Sequence, residues 1–472
     1  MKKHNLFKVV MIVLLVLVLV SWFLPVYNIS NTGTEFESGD NIRVGFFALI
    51  SFIAIALQYF SHIAMYILAI GALYGVLYKV PVYRKLLDKI VSGFKGYELL
   101  FMGIVMAIIT VLTSMVGLSL PILAFFPLII SVILMMGYDK VTAAMVTVGS
   151  VSAGMIGTVF SANAVSGIST LLEVPANTEV LSKIILLLVS FAIVFLNVFL
   201  YSRKHRKKEV VVEAYLVPEE TTTKKPVWPL VVILDLVLIV LGLAFFSWEL
   251  FNVTFFKDIT NSLISADGGN ITKGFLTALN ALLGVSSDVE FGKWTLIEGT
   301  ALLILASGLI GFVYRQKFDE WLKNMAEGAK KALKPALLVI LIYAVLVFTT
   351  NVPIYYTLTN WFMSLNGELH VFIMMIVAII FIILGVDAYY GLRAGQGYLA
   401  SILAVDASKN VIIALIWQAM YGFTMLISPT SVVLMVSLGY LNLSYGKWMK
   451  SIWPLILELL AASTILLYIF AR

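Results

Sequence analysis

The stretch MLISPTSVVLM, residues 425–435, interrupts a long apolar run that extends over residues 411–438. Its centre, Ser-Pro-Thr-Ser at 428–431, is unsuited to a helix, because proline removes a backbone donor and hydroxyl side chains compete for backbone bonds. In hydrocarbon, irregular backbone survives only where it lines a cavity or is buried in protein. The stretch therefore predicts a broken helix beside a binding site; a kink that only eases helix packing is the alternative.

The composition places this break in a membrane. Of the 472 residues, 61% are hydrophobic and 12% are charged. Many apolar runs have the roughly 17–25 residues that a bilayer-spanning helix requires, and they are continuous rather than alternating. We therefore expect an all-α polytopic membrane protein with about 10 to 12 transmembrane helices.

Basic residues indicate the orientation of the chain. The net charge is +6, but Lys and Arg cluster beside the spans, at 79–95, 203–225 and 315–334, and do not suggest a nucleic-acid surface. By the positive-inside rule, these segments and the N-terminus face the cytoplasm, in a bacterial cytoplasmic membrane. The more acidic segments 31–41 and 248–298 are expected outside. The absence of cysteine excludes thiol chemistry and disulfides.

The first half, residues 1–201, begins with an apolar run at 7–26. No small-residue cleavage site follows it, so we interpret it as a retained span. A second span is expected at about 62–79, and the preceding residues 45–59 either lie at the interface or extend it. Residues 82–94 have the pattern of an amphipathic helix on the inner surface.

Two interrupted stretches and one span complete this half. Residues 98–137 are interrupted by GLSLP (117–121), and they fit either two spans or a re-entrant hairpin. The next stretch, 141–175, is interrupted at SANAVSGIST, where we expect 161–167 to be unwound. A span at 180–201 then leads to a basic cytoplasmic linker, residues 202–226.

The second half, residues 227–472, repeats this order with an insertion at 248–298. Its elements are expected to be spans 227–247 and 299–314, a basic amphipathic segment 315–335, an extra span 336–352, a stretch 370–406 interrupted at 385–397, the broken run 410–445, and a final span 451–470. The extra span makes the second set of interrupted stretches enter from the opposite face. This is the inverted-repeat pattern of secondary transporters, whose paired breaks form a site near the midplane.

Three stretches resemble a known group of carriers: FPLIISVILMMGYDKVTAAMV (126–146), SANAVSGIST (161–170) and ISPTSVVLMVSLGYLNLSYGKWMKSIWPL (427–455). They are similar to the YfcC-like and arginine/ornithine antiporter group, which is related to the C4-dicarboxylate anaerobic carriers of the ion-transporter superfamily. The resemblance implies a secondary carrier for amino acids or carboxylates. It also implies two inverted repeats with two opposed re-entrant hairpins and two broken helices, an elevator-type movement, and a homodimer.

The chain departs from this group where charge matters most. Leu120 and Pro121 stand where antiporters of the group carry an acidic pair. The group's Asn-Pro reads Asn163-Ala164 here, and Arg393 replaces a small neutral residue in the second hairpin tip. These changes make a cationic substrate such as arginine doubtful and favour an anionic or zwitterionic one.

The candidate substrate-binding residues are the polar side chains of the two breaks and the two hairpin tips. They are Ser119, Ser161, Asn163, Ser166, Asp387, Arg393, Gln396, Ser428, Thr430 and Ser431. Arg393 is suited to clamp a carboxylate, unless Asp387 neutralises it. If the second tip is an external loop, both charges are simply solvated.

Other polar residues lie within predicted spans. Asp235 and Glu458 are candidate ion-coupling residues, with bonding to a neighbouring helix as the alternative role. Gln418 and Tyr421 precede the second break, where core packing and a place at the site are both open.

The function predicted from these features is secondary active transport of a small amino acid or carboxylate, by exchange or coupled to Na⁺ or H⁺. No other cofactor is expected, because the chain has no Walker motif and its four histidines are scattered. The loops contain no cluster suited to a membrane enzyme. The remaining alternatives are a channel or a non-transporting family member that acts as a membrane sensor or partner.

Overall fold

The computed structural model describes residues 6–24, 26–29, 36–39, 43–206, 218, 223–264, 290–352, 354–365, 370–394 and 409–471. Within these residues the protein is almost entirely helical. The exception is an antiparallel pair of short strands, β1 (Val26–Ile29) and β2 (Phe36–Gly39). The expected all-α class is confirmed.

Nine helices lie in the first half of the chain. They are α1 (Leu6–Phe23), α2 (Phe46–Tyr78), α3 (Pro81–Gly93), α4 (Glu98–Val111), α5 (Phe126–Met135), α6 (Lys140–Ala144), α7 (Ser150–Ile156), α8 (Ala162–Leu172) and α9 (Val180–His205). A π-helical turn, Leu112–Val116, extends α4, and another, Met145–Gly149, joins α6 to α7. A 3₁₀ turn, Pro121–Phe125, leads directly into α5.

Ten further helices are described in the second half. They are α10 (Trp228–Phe245), α11 (Phe255–Ile264), α12 (Leu296–Val313), α13 (Phe318–Asn351), α14 (Ile354–Leu365), α15 (Val371–Gly385), α16 (Ala388–Ala394), α17 (Asn410–Ile427), α18 (Val432–Leu441) and α19 (Tyr445–Phe470). A 3₁₀ turn, Trp248–Phe251, precedes α11.

The chain is a multi-pass membrane protein. Nine of the described helical stretches are long and apolar enough to cross a bilayer. Their outward faces are apolar as well: Phe312, for example, is 82% exposed, which suits contact with lipid rather than water. The open question about residues 45–59 is also settled, since they extend the second span into the 33-residue helix α2.

Two predicted helices form one. Residues 315–335 and 336–352 were expected as a surface segment followed by a separate span, but α13 runs unbroken for 34 residues. Pro335 lies inside it and is buried. Proline removes one helical hydrogen bond, but packed membrane helices tolerate this loss. The predicted boundary at Pro335 was therefore wrong.

Helices α2 and α13 pack backbone to backbone. A Cβ atom on Gly75 would lie 2.2 Å from the carbonyl oxygen of Asn324, and one on Gly71 would lie 2.5 Å from the Cβ of Ala332. A Cβ on Gly328 would collide in turn with the backbone of α2. Small residues four apart permit such close approach between membrane helices, so this glycine contact joins α2 and α13 firmly.

The two predicted breaks are both present, but only one was placed correctly. Helix α17 ends at Ile427 and α18 begins at Val432, so SPTS is the unwound segment as expected. In the first half, the residues expected to be unwound, 161–167, lie mostly within α8. The break there is 157–161, just before the predicted one. We call these segments break 1 (157–161) and break 2 (428–431).

Candidate functional site

The two broken helices cross each other next to break 1 and about one and a half turns before break 2. A Cβ atom on Gly422 of α17 would lie 2.2 Å from the backbone nitrogen of Ile156 of α7. At the same crossing, the hydroxyl of Ser152 donates to the carbonyl of Gly422 at 2.7 Å. Gln418 donates through its side-chain amide to the carbonyl of Thr158, inside break 1. The fold thus packs the two broken helices against each other, with break 1 beside Gln418 and break 2 six residues beyond the Gly422 crossing.

Break 1 is held open by a neighbouring element. The carbonyl oxygen of Ser114, in the π-helical turn after α4, accepts hydrogen bonds from the amides of Val159, Phe160 and Ser161 at 3.1–3.2 Å. The Ser114 hydroxyl donates to the carbonyl of Gly157 at 2.6 Å. We call α4, α5 and the turns between them the first hairpin, and α15 with α16 the second. Backbone groups released by the loss of helix in break 1 therefore find partners in the first hairpin, as buried groups require.

Two hydroxyl groups beside break 1 lack such partners. The Oγ1 of Thr113 and the Oγ of Ser161 are fully buried and have no hydrogen-bond partner among the described residues. Gly117, at the tip of the first hairpin, has φ +89°, and a Cβ on it would lie 2.6 Å from the Ser161 oxygen. Buried hydroxyls normally have partners, so these two retain hydrogen-bonding capacity that the described residues do not use.

Break 2 satisfies its polar groups by itself and through the second hairpin. The hydroxyls of Ser428 and Thr430 lie 2.6 Å apart, and that of Thr430 donates to the carbonyl of Ile383 in α15 at 2.7 Å. The Ser431 hydroxyl donates to the carbonyl of Met425 and accepts from the amide of Leu434, which caps α18. The Ser431 hydroxyl thus replaces helical bonds that the break removes, and the Thr430 hydroxyl joins the break to α15.

The carboxylate of Asp387 lies at the second hairpin tip, between α15 and α16. Its Oδ2 accepts from the hydroxyl of Tyr421 at 3.0 Å, and its Oδ1 accepts from the amide of Tyr389 at 2.8 Å. Val386, just before it, has φ +63°, an unusual conformation for a β-branched residue. The chain therefore makes a sharp turn that directs the carboxylate towards α17.

Arg393 and Asp387 have different partners. The Arg393 guanidinium is exposed and donates to the hydroxyl of Tyr389 at 3.3 Å, whereas the Asp387 carboxylate contacts Tyr421. The sequence left open that Asp387 neutralises Arg393 and so holds the tip together. In this conformation the two side chains do not pair with each other.

A cavity of about 40 Å³ lies between the second tip and break 2. Its polar lining comes from Asp387, Tyr343, Tyr421 and Thr424, together with all the hydroxyl residues of break 2, and Leu120 of the first hairpin closes it. A few tens of Å³ can hold water or a small cation but not an organic substrate. The cavity as described is therefore too small for the proposed substrates.

The remaining candidate residues of the hairpins and α8 are more dispersed. Ser119 lies in the first hairpin tip and is partly buried, whereas Ser166 lies on an exposed face of α8, away from break 1. Asn163 is in the first turn of α8, but its side chain lies outside the described residues, as does the whole of Gln396.

The two carboxylates proposed for ion coupling lie away from this cavity. Asp235 is exposed on α10. Glu458, on α19, accepts a hydrogen bond from the side-chain amide of Asn197 at 2.6 Å, which is the alternative role that the sequence left open. Among the described residues, no group of three or more His, Cys, Asp or Glu side chains is arranged to hold a metal.

Sequence reasoning missed Thr113 and Ser114 and left Gln418 and Tyr421 undecided. The first pair had a visible signal, since it is a polar dipeptide in an apolar run just before Gly117. The second pair had a weaker one, because a Gln and a Tyr about three and two turns before a break are also common in a helical core. Their roles depend on contacts with distant residues, Thr158 and Asp387, that no local pattern contains.

The family model described as DcuC, C4-dicarboxylate anaerobic carrier, matches residues 4–471. This chain belongs to the C4-dicarboxylate anaerobic carrier family. The expected transporter class is thereby confirmed, whereas the narrower resemblance to the arginine/ornithine antiporter group stays a prediction. No curated protein gives a significant sequence match to the chain.

Two solved transporter structures resemble this carrier over nearly its whole length. The Alcanivorax borkumensis YdaH transporter is 12% identical with a TM-score of 0.43, covering 99% of this chain and 98% of that one. Neisseria gonorrhoeae MtrF, from a class of antimetabolite efflux pumps, is 12% identical with a TM-score of 0.40, covering 98% and 94%. Likeness at this distance carries no argument about substrate or mechanism.

Proposed function

We propose that this carrier moves a small carboxylate or amino acid across the bacterial cytoplasmic membrane by secondary active transport. The observation that carries the proposal is that two broken helices pack against each other, and that each break is hydrogen-bonded to a neighbouring hairpin. The carbonyl of Ser114 accepts hydrogen bonds from the amides of break 1, and the carbonyl of Ile383 accepts one from the hydroxyl of Thr430 in break 2. Paired breaks of this kind offer backbone dipoles and hydroxyls to a polar substrate at membrane depth.

The order of the helices supports an inverted repeat. Helices α1 to α9 correspond in order to α12 to α19: a span, a long helix, a short helix, a hairpin, a broken helix and a closing span. The short helices α3 and α14 begin in similar sequences, VPVYRKL (80–86) and VPIYYTL (352–358). In this correspondence α10 is the additional span, rather than residues 336–352, and residues 202–226 link the halves.

An elevator-type movement fits the way in which the two parts contact each other. The glycine contact joins α2 and α13 tightly, whereas few described hydrogen bonds connect this pair to the hairpins. Tyr66 and Tyr74 of α2 donate to the carbonyls of Pro121 and Ala124, and Thr349 of α13 donates to that of Leu384. We propose that α2 and α13 belong to the fixed part and that the hairpins move with the broken helices.

The chemistry of the site supports a ligand with both carboxylate and cationic character, or an anion accompanied by a cation. The hydroxyls of Thr113 and Ser161 are donors suited to a carboxylate, and Asp387 is the negative group that lines the small cavity. Asp387 would then hold the ammonium of an amino acid, or the Na⁺ or H⁺ that accompanies an anion. The family description favours a four-carbon dicarboxylate as the first substrate to test.

The membrane arrangement is part of the same proposal. The N-terminus and the basic segments face the cytoplasm, and the segment after α10 faces outside, as the distribution of Lys and Arg indicates. A homodimer remains a prediction from the resemblance.

Uptake by the purified carrier in proteoliposomes tests the proposal. Labelled monocarboxylates, dicarboxylates and amino acids would be compared under imposed Na⁺ and proton gradients. We expect one class to be accumulated, and Asp387→Asn to reduce its uptake by at least about tenfold, the factor that corresponds to roughly 1.4 kcal/mol. Glu458→Gln is the control, because it also neutralises a hydrogen-bonded carboxylate on a long apolar helix, but one that is exposed and away from the cavity.

Two results would contradict the proposal. If no compound is taken up by well-folded protein, the non-transporting alternative gains support. If Asp387→Asn and Glu458→Gln have the same effect, Asp387 has no special role at the site.

A further inference from the structure

A second and much larger cavity, of about 860 Å³, lies beside the glycine contact. Helices α2 and α13 line one side of it, and α5 and α18 line the other, while Leu6 and Phe7 of α1 close one end. It is located at the end of the protein that carries the start of α1 and the basic first half of α13. By the orientation proposed above, this end is cytoplasmic.

The charged side chains that line this cavity are all positive. Lys330, Lys331 and Lys334 line it, and all three side chains are exposed. The ammonium of Lys331 lies 5.7 Å from the ring centroid of Tyr78, which also lines the cavity. None of the described residues that line it is an aspartate or a glutamate. A concave surface with three positive charges and low-dielectric walls concentrates anions.

This basic cavity and the small site cavity are lined by the same three segments. Leu120 lines the small cavity and Pro127 the large one. On α18, Val433 lines the small cavity and Leu438 lines the large one. On α13, Tyr343 contributes to the small cavity, and residue 338, one and a half turns earlier, to the large one. Separations of five to seven residues correspond to roughly 8–10 Å along a helix. The two cavities therefore lie one after the other along the same three segments.

We propose that the basic cavity is a vestibule that collects a small carboxylate or phosphate anion from the cytoplasm for the site at the breaks. Its lysines act as mobile point charges that attract the anion without fixing its geometry. The function of this vestibule rests on the proposed transport function, but its preference for anions does not. The phosphate of a lipid headgroup shares this chemistry and is distinguished by the experiment.

Thiol labelling measures the preference without any transport. The natural chain contains no cysteine, so a single introduced cysteine is the only reactive site. Gly439 lines the basic cavity, and a Cβ on it would be 3.5 Å from the nearest atom, the Cβ of Pro335. Gly439→Cys is therefore tolerated, and Gly446→Cys is the control, because Gly446 is exposed, has open space around it and does not line the cavity.

The readout is the ratio of labelling rates for an anionic and a cationic methanethiosulfonate reagent. We expect this ratio to be several-fold higher at position 439 than at position 446, and to approach the control value at high salt, which screens the lysines. Lys330→Gln/Lys331→Gln/Lys334→Gln should lower it at position 439. Arg315→Gln/Lys317→Gln/Lys323→Gln, which removes the same charge elsewhere, should not. Equal ratios at the two positions, or equal effects of the two triple variants, would overturn the proposal.

Protection from labelling identifies the source of the anion. The carrier would be reconstituted in purely zwitterionic lipid, with succinate or inorganic phosphate added, or in lipid that contains phosphatidylglycerol. Protection by the soluble anions in zwitterionic lipid supports the vestibule. Protection by phosphatidylglycerol alone would make the cavity a lipid site and overturn it. Loss of uptake in the proteoliposome screen with an intact anion preference would instead contradict the transport function and leave the anion site standing.

Discussion

The two breaks occupy similar places in the fold but are stabilised in opposite ways. In break 2, Ser428, Thr430 and Ser431 bond through their own hydroxyls to each other and to the carbonyls of Ile383 and Met425. Break 1 has no proline, and its freed amides depend on the carbonyl of Ser114. Consequently the hydroxyls of break 2 are occupied by the protein, whereas a hydroxyl of break 1, Ser161, is without a partner among the described residues.

This difference separates structural roles from binding roles at the site. A hydroxyl that bonds the protein contributes mainly to stability, while a buried hydroxyl without a protein partner is available to a ligand. We therefore expect substitutions in break 2 to destabilise the fold and substitutions beside break 1 to weaken substrate binding. Three comparisons of variants test this expectation, beginning with the crossing of the two broken helices.

The largest effect is expected for Gly422→Ala. The new Cβ would lie 2.2 Å from the backbone of Ile156, so the broken helices would have to separate, at a cost of about 1–3 kcal/mol or more. We expect a clear fall in thermal stability and loss of uptake. Gly446→Ala, with open space around it, is the control, and a similar stability for both variants would show that the crossing is not close-packed.

A smaller effect is expected for Gly117→Ala. Gly117 and Gly96 have nearly the same left-handed φ, +89° and +88°, but only Gly117 has a neighbour, the Ser161 oxygen. Both alanine variants carry the left-handed strain of about 1–2 kcal/mol. Only Gly117→Ala should also reduce substrate affinity, as measured by the substrate-induced rise in melting temperature. If the two variants behave alike, the first tip does not form part of the site.

The smallest change in stability, and the most informative one, is expected from Thr113→Val compared with Thr430→Val. Thr430→Val removes a donor from the carbonyl of Ile383 and should cost about 1 kcal/mol. Thr113→Val removes a hydroxyl without a described partner, so stability should change by less than about 0.5 kcal/mol while substrate affinity falls. Denaturation in detergent and binding measured on the same preparations check both halves. The reverse pattern would contradict the division of roles between the breaks.

Local chemistry explains which parts of the fold were predictable. The long apolar spans and break 2 follow from composition and from Pro429, so they could be placed from the sequence. Break 1 could not, because its opening depends on a carbonyl from a distant element. Pro335 was treated as a boundary although packing keeps α13 continuous. The similar starts of α3 and α14 were a signal in the sequence that favours the proposed repeat.

The site was predictable only in outline. The hydroxyls of break 2 and Asp387 were identified because polar groups in apolar runs are conspicuous. The partners that define their roles, such as Tyr421 for Asp387 and Ile383 for Thr430, are set by tertiary contacts. Asp235 and Glu458 were also identified as carboxylates in apolar runs, but both are exposed, whereas Asp387 lines the small cavity. A charge in an apolar run therefore does not by itself predict a place at the site.

The glycine contact between α2 and α13 also offers an internal ruler. With Gly75 and Gly328 in backbone contact, no side chain separates the helices at this point, and a distance measured between them should stay constant through the working cycle. Spectroscopic labels on the two helices would thus calibrate an experiment in which a third label, on α18, reports displacement. In a naturally cysteine-free carrier, such labels can be attached without first removing any native residue.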